Sequence, residues 1–354
     1  MSREGSTQQA PSIVALDIGG ANLKTSDGAK FARSVRFPMW KRCRELPAVL
    51  TKLLAEAPDA DIIAITMTAE LADCFSSRQE GVHYVLNSVC AAAKGRKILV
   101  YLTNGRLVDP HEARSQPLLA AASNWHILAV HAANQIAPQQ GCLIDIGSTT
   151  CDIIPLGGGQ VLATGTDDFS RMKSSELVYT GIGRTPVCSI LPSASLHGRT
   201  VPLAKEFFAT AQDAYVLLGE LAENPDDTDT ADGRPVTRAA ARARLARMFC
   251  LDTDTFSVED AADFAQQIAR HQCDEILAAA KIALSSANVQ PESFVVSGSG
   301  EFLAKQIAWK LGGDDSHLMS FTKMYDAHIS RCATAYTLAQ FAVSQTHGLK
   351  RFSL

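Results

Sequence analysis

No apolar run in this chain of 354 residues reaches the roughly 18 residues that a membrane-spanning helix needs. The opening stretch, MSREGSTQQAPS, is polar and has no apolar core of the kind a secretory leader carries. A cytoplasmic protein is therefore expected, with residues 1–11 as a disordered tail and no membrane partner. Basic charge is not in excess either. The 33 Lys and Arg against 37 Asp and Glu leave a formal charge of −4, which argues against a nucleic-acid partner. The nine cysteines are odd in number and contain no C-x-x-C pair. That excludes the usual zinc and disulfide spacings and points to thiols in a reducing compartment. The chain is too long for one typical domain and about right for two.

What is present centres on Gly141–Pro155, GCLIDIGSTTCDIIP. An apolar run ends at Asp145 and is followed by the small turn Gly147, Ser148, Thr149 and Thr150, after which a second apolar run begins. This pattern reads as a hairpin. Glycine permits close backbone approach, and the N–H and hydroxyl groups of such a turn can converge on one anion. A carboxylate beside an anion cradle repels the anion unless a cation bridges them. Asp145 therefore implies Mg²⁺ and a phosphate or diphosphate. The same arrangement occurs at Ser12–Lys24, where Asp17 precedes Gly19, Gly20, Ala21 and Asn22, with Lys24 beyond. Two copies, far enough apart for one per domain, are a much stronger signal than either alone. Asp17 and Asp145 are the metal candidates.

Apolar patterning around these turns predicts strands at Lys30–Phe37, Asp61–Met67, Lys97–Leu102, Gln160–Thr164, Val187–Ser189 and Gln290–Val296. It predicts helices at Cys43–Ala57, Gly81–Lys94, Pro117–Val130, Phe207–Leu221, Val236–Phe249, Val258–Ala287, Glu301–Lys310 and Asp326–Gln345. Thr66, Thr68 and Glu70 form a polar cluster at the carboxyl end of a strand, the edge where α/β sheets bind ligands. Trp125 and His126 read more simply as packing residues than as pocket residues, and Gly157–Gly159 as a hairpin turn. The segment 166–186 is unusually polar. SSELVYTG within it reads as a helix stopping at Gly181, and Arg184 sits in a Gly-rich loop suited to a bidentate phosphate contact. The aspartates between 226 and 232 read either as a solvated loop or as a site for a cation or ammonium group. Ser297–Glu301 is a third strand–turn–helix junction, at Gly298, Ser299 and Gly300.

Taken in order, the DIGG, DIGSTT and GSGE turns resemble the actin/Hsp70/sugar-kinase fold. The resemblance implies an α/β chain with two actin-like (ribonuclease H-like) domains around a central interdomain cleft. The first would comprise residues 12–135 and 325–354, and the second 136–324 with a helical insertion at about 200–285. The third turn would touch a nucleoside. DIGGAN, SNW, DIGSTTCDIIP, TD followed by ELVYTG and RTPV, and DTADGR further resemble a family related to hydantoinase A and oxoprolinase that serves tetrahydromethanopterin-linked C1 pathways and methanofuran synthesis. Leu23 and Cys151 depart from it, standing where threonines are expected.

That family resemblance implies transfer of an (aminomethylfuranyl)methyl group from its diphosphate to the phenol oxygen of γ-glutamyltyramine, without ATP. Asp17, Asp145, Asp152 and Glu176 become the catalytic candidates, with the aspartates at 167–168 as further bases. Lys24, Arg184 and both turns would hold phosphate, Thr180 and Gly181 the substrate or nucleoside, and the acidic loop the substrate ammonium. Two alternatives stay open, an ATP-dependent kinase or hydrolase of this fold and a nucleotide-gated regulator. Oligomeric state is also open, a homo-oligomer included.

Overall fold

The computed structural model describes residues 11–315 and 317–349, so the tail expected over residues 1–11 lies, apart from Pro11, outside the described residues. Two mixed sheets form the frame. The first is built from β1 (Ile13–Ile18), β2 (Asn22–Ser26), β3 (Ala32–Arg36), β4 (Ile62–Met67), β5 (Lys97–Tyr101) and β6 (Leu107–Val108), in the order β3-β2-β1-β4-β5-β6. The second uses β7 (Gln140–Ile146), β8 (Cys151–Gly157), β9 (Gln160–Val161) and β10 (Leu177–Val178), followed after a small hairpin of β11 (Ser193–Leu196) and β12 (Arg199–Pro202) by β13 (Ser293–Ser297) and β14 (Leu318–Ser320). Its order is β10-β8-β7-β13-β14, with β9 on the outside of β8.

The central strands β1 (IVALDI) and β4 (IIAITM) are buried along their whole length and pair in parallel. Such continuous apolar runs suit strands covered on both faces. Helices Leu46–Glu56 and Arg78–Ala92 cover one face of the first sheet, with Leu50, Leu53, Val85 and Val89 in the core. The closing helix Ala333–Leu349 covers the other, through Leu338, Ala339 and Ala342. Helix Asn124–Ile136 lies between the sheets: Ile127 packs on the first, Leu128 and Ala132 on the second. The long helix Val258–Ser286 packs on β8 beside helix Glu301–Lys310, which covers β7 and β13, and its first half builds a separate core with Arg238–Arg247.

Each sheet holds the same local unit. An antiparallel hairpin, β1–β2 or β7–β8, has a parallel strand added on its first member, β4 or β13. Asp17 and Asp145 occupy the same place in the two units. Across the hairpin Asp17 faces Lys24 and Asp145 faces Asp152; on the parallel side they neighbour Thr66 and Ser297. The turns close alike, Gly19 N–H donating to Asn22 O at 3.0 Å and Gly147 N–H to Thr150 O at 2.9 Å.

Several local expectations need correction. SSELVYTG is not a helix. The helix lies earlier, at Asp168–Lys173, and Ser175 then adopts φ +62, which breaks it. Leu177–Val178 joins the sheet edge beside Asp152 and Cys151. Val187–Ser189 is the start of a short helix, Val187–Ile190, after Pro186. The helix expected over Pro117–Val130 is interrupted: Ala122 has φ +46, and its N–H donates to the buried Glu70 carboxylate at 3.0 Å. The final helix is broken at Cys332. Leu23 and Cys151 are both fully buried in core clusters, so neither position offers a side chain to the turns.

Candidate functional site

Both turns open onto one cleft of about 350 Å³. Its wall includes Asp17, Gly19, Gly20, Ala21, Asn22 and Lys24 from the first sheet and Asp145, Gly147, Ser148, Thr149, Thr150 and Asp152 from the second. The pairing expected from the repeated motif is therefore present in space. The N–H groups of Gly20, Ala21, Ser148 and Thr149 donate to no other protein group among the described residues. Unsatisfied backbone donors lining a cavity are what an anion needs.

Charge in the cleft is divided. Lys24 Nζ stands 3.5 Å from Asp17 Oδ2. Burial works against its ammonium, but Asp17 and Asp145 together hold its pKa above the ordinary lysine value. Asp17 is itself pushed up by burial, only partly opposed by Lys24, and its Oδ1 is buried without a hydrogen-bond partner. Asp145 is pushed up to about 6, by burial first and then by the charge of Asp152 opposite, against the pull of a 2.6 Å hydrogen bond from Ser297 Oγ. Two carboxylates made costly to ionise by burial, one with an orphan oxygen, fit a divalent cation that would share a phosphate ligand. They are all the protein offers: no cluster of three or more acidic, His or Cys side chains able to hold a metal exists among the described residues.

Arg184 also lines the cleft, stacked 4.2 Å from the Trp40 ring centroid across the two sheets. It makes no ion pair among the described residues, and burial lowers its pKa, against the weaker influence of Tyr179 and Asp73. Its backbone and those of Ile182 and Gly183 hydrogen-bond to Gly147 O and Ser148 O and so brace the second turn.

Other expected site residues lie elsewhere or are already committed. Glu176 is buried away from the cleft lining. Its carboxylate accepts from Thr164 N–H, Thr164 Oγ1 and Gly165 N–H at 2.6–2.9 Å, which makes it a clamp for the 164–165 loop. The helical reading of its segment hid this role. Asp152 lines the cleft but is paired with the buried Arg171 at 2.5 Å. Arg171 in turn stacks 4.1 Å from the Trp125 ring centroid. Trp125 is thus a packing platform, and His126 is neutralised by burial and bonded to Tyr101.

Thr180 and Gly181 are not on the cleft wall. Both take a hydrogen bond from Gln272, itself held by Tyr215, and Gly181 lies hard against the Gly147–Thr149 backbone. Gly298, Ser299 and Gly300 are likewise absent from the cleft lining. A side chain at Gly298 or Gly300 would collide with Ile146, so packing on β7 is enough to require glycine at both positions. The acidic loop is occupied by arginines: Asp227 and Asp229 pair with Arg36, and Asp232 with Arg244 and Arg247. These pairs tie the loop to β3 and to the helix Arg238–Arg247.

The cleft residues missed from sequence include Trp40, Asp73, Asn124 and Tyr179. None belongs to a glycine turn. Trp40 and Asp73 come from connections following β3 and β4, and only folding brings them to the second lobe's turn.

Residues 61–343 match the family model described as hydantoinase/oxoprolinase. The chain is 31% identical over 337 residues to the (4-{4-[2-(γ-L-glutamylamino)ethyl]phenoxymethyl}furan-2-yl)methanamine synthase of Methanocaldococcus jannaschii, covering 94% of this chain and 98% of that one. The Methanococcus vannielii protein of the same name is 25% identical over 198 residues, 56% of this chain and 88% of its own. Among solved structures, nucleotide-free acetone carboxylase superposes with a TM-score of 0.50 at 14% identity, over 90% of this chain and 51% of the other, so this chain spans about half of that one. At that identity the likeness concerns the fold alone, an actin-like ATPase fold. No helix among the described residues is long and apolar enough to cross a membrane.

Proposed function

The chain belongs to the hydantoinase/oxoprolinase family, and from that premise we propose that it is a transferase making a furanylmethyl aryl ether, with diphosphate as leaving group. The name shared by the two methanogen relatives describes a phenoxymethyl-furan. The bond to be made therefore joins a phenol oxygen to a furanylmethyl carbon. Such a carbon needs a leaving group, and the observation that carries the reading is the pair of donor-rich turns facing one cleft. The favoured donor is an (aminomethylfuranyl)methyl diphosphate and the acceptor γ-glutamyltyramine.

The chain's own groups match the demands of that reaction. Turn N–H groups, Lys24 and Arg184 would bind the two phosphates and stabilise the charge that grows as the C–O bond breaks. Mg²⁺, held by Asp17 and Asp145, would supply further neutralisation of the departing diphosphate. The furan oxygen shares positive charge on the methylene carbon, which lowers the demand on the nucleophile. Closure across Trp40–Arg184 and Arg78–Asp167 would exclude water from a carbon that water could also attack.

The test is direct. Purified protein, Mg²⁺, the furanylmethyl diphosphate and γ-glutamyltyramine should release diphosphate and form the ether in equal amounts, read by mass spectrometry, with no ATP added. Folded protein giving no ether, or ether only with ATP, would overturn the proposal. A kinase reading gains nothing from the third turn, whose glycines pack on β7.

A further inference from the structure

Making the ether requires a group to take the phenol proton, and four carboxylates in or near the cleft are already committed. Asp17 and Asp145 face the turns and Lys24. Asp152 is paired with Arg171, and Asp167 caps its own helix by accepting from Ser170 N–H at 2.8 Å. Asp168, the next residue, differs from all of these. It lines the cleft, is half-buried, and makes neither a hydrogen bond nor an ion pair among the described residues. Asp73 also lines the cleft, but its side chain stands exposed at the lip.

The surroundings of Asp168 suit a phenol. The phenol of Tyr179 already sits near it in the same cleft, and after burial the charge of Asp168 is the strongest influence holding that phenol protonated. Tyr179 and Trp40 line the same cleft as Asp168.

On these grounds we infer that Asp168 is the general base of the proposed transfer, accepting the acceptor's phenol proton on a carboxylate oxygen. This rests on the reading given above. In the step, the phenol O–H bond breaks and its proton passes to Asp168. The phenol oxygen bonds to the furanylmethyl carbon, and the C–O bond to diphosphate breaks with its electron pair leaving on diphosphate. The charges around Asp168 are Arg171 and Asp167 on its own helix, Asp152 from β8, Arg78 from the helix Arg78–Ala92, and Glu70 and Tyr179 beyond them. Burial dominates and raises the Asp168 pKa, which favours proton acceptance over a fixed negative charge.

The experiment compares wild type with Asp168→Asn, using γ-glutamyltyramine and a ring-fluorinated, more acidic analogue. Because Asp168 has no protein partner to lose, Asp168→Asn should fold, checked by circular dichroism and by calorimetric diphosphate affinity within about threefold of wild type. The expected result is a kcat lowered about 100-fold or more with KM for the diphosphate little changed. The fluorinated acceptor should recover at least tenfold more rate in the variant than it adds to wild type, and the lower limb of the pH profile should flatten. A kcat within threefold of wild type overturns the assignment, as does equal loss with both acceptors. A raised KM with unchanged kcat also overturns it, and would make Asp168 an anchor for the substrate ammonium. If wild type itself gives no ether, the transferase reading falls and this one with it; normal wild-type turnover with an unaffected variant removes only this one.

Discussion

Replacing Gly181 by alanine tests whether the second turn is a shaped cradle or merely a connection. Gly181 is outside the cleft lining, and its φ is not in the left-handed region, so alanine adds no backbone strain there. The added carbon would instead meet Thr149 N at 2.5 Å, Ser148 C at 2.6 Å and Gly147 O at 2.7 Å. The nearest of these is about 0.9 Å short of the 3.4 Å at which ordinary contact begins, and every atom it meets is backbone. Either the turn or the 180–182 segment must move. That segment is anchored away from the turn by Gln272 on Thr180 and Gly181, so the turn should yield. Overpacking of this kind costs about 1–3 kcal/mol of stability. A displacement approaching 1 Å in a group that must meet the transition state costs on the order of 100-fold in rate, or about 2.7 kcal/mol.

The assay is steady-state diphosphate release by Gly181→Ala beside thermal unfolding. The control is Gly158→Ala, at a φ of +60 with open space around it. There strain of about 1–2 kcal/mol should lower stability and leave kcat/KM unchanged. If Gly181→Ala keeps kcat/KM within twofold of wild type, the turn is not a cradle and the argument from its N–H groups fails.

Asp145→Asn should lose at least 100-fold in activity and change the pH dependence of stability. The Asp145 pKa is raised to about 6 in the folded chain, so the fold favours the protonated form. Its contribution falls as pH rises from the unfolded carboxyl value of about 4 to about 6, and the full cost of ionising it is present above that. The variant should therefore melt higher than wild type above pH 6, the gap closing towards pH 4; a gap that widens on acidification refutes the assigned shift. Arg171→Met leaves Asp152 without its cation and should cost about 3–5 kcal/mol in chemical denaturation, partly recovered in Arg171→Met/Asp152→Asn. No recovery in the double variant would mean that the Trp125 contact, not the ion pair, carries the effect. Glu176→Gln turns an NH₂ towards donors at Thr164 or Gly165, so stability should fall by about 1–3 kcal/mol while kcat per folded molecule holds within twofold. A large fall in kcat alone would return Glu176 to the chemistry.

Much of this was legible in the residues because the decisive features are local. A strand that ends in Asp and turns through glycine and small residues is written in six or seven consecutive positions, and the chain carries it twice. The fully buried strands were equally legible, since both faces are covered and no polar alternation interrupts them. What failed depended on distant partners. The segment around Glu176 has helical composition, yet its carboxylate is drawn to Thr164 and Gly165, and the edge of β8 captures Leu177. The Pro117–Val130 run looked continuous because nothing in it reveals that Glu70, more than fifty residues earlier, takes the Ala122 N–H. The acidic loop drew attention as a site, but its partners, Arg36 and Arg244, lie in other parts of the chain.

The two hairpins show how one local device can serve unlike purposes. Cross-strand from its carboxylate, the first unit carries Lys24 and the second carries Asp152. A lysine there draws the first carboxylate into a pair and leaves a cation at the cleft. An aspartate there does the opposite, pushing Asp145 towards protonation until a cation arrives from elsewhere. Arg171 answers part of that need, but it binds Asp152 and is buried under Trp125, leaving Asp145 with the Ser297 hydroxyl and the charge of Lys24, which is itself paired with Asp17. The second unit is therefore short of positive charge where the first is not. On the proposed function, a ligand that brings its own cation, as a magnesium diphosphate would, would relieve Asp145 while its phosphates met Lys24 and Arg184. The difference between Lys24 and Asp152 at the matching cross-strand positions gives two similarly built turns opposite charge demands on the two sides of one cleft.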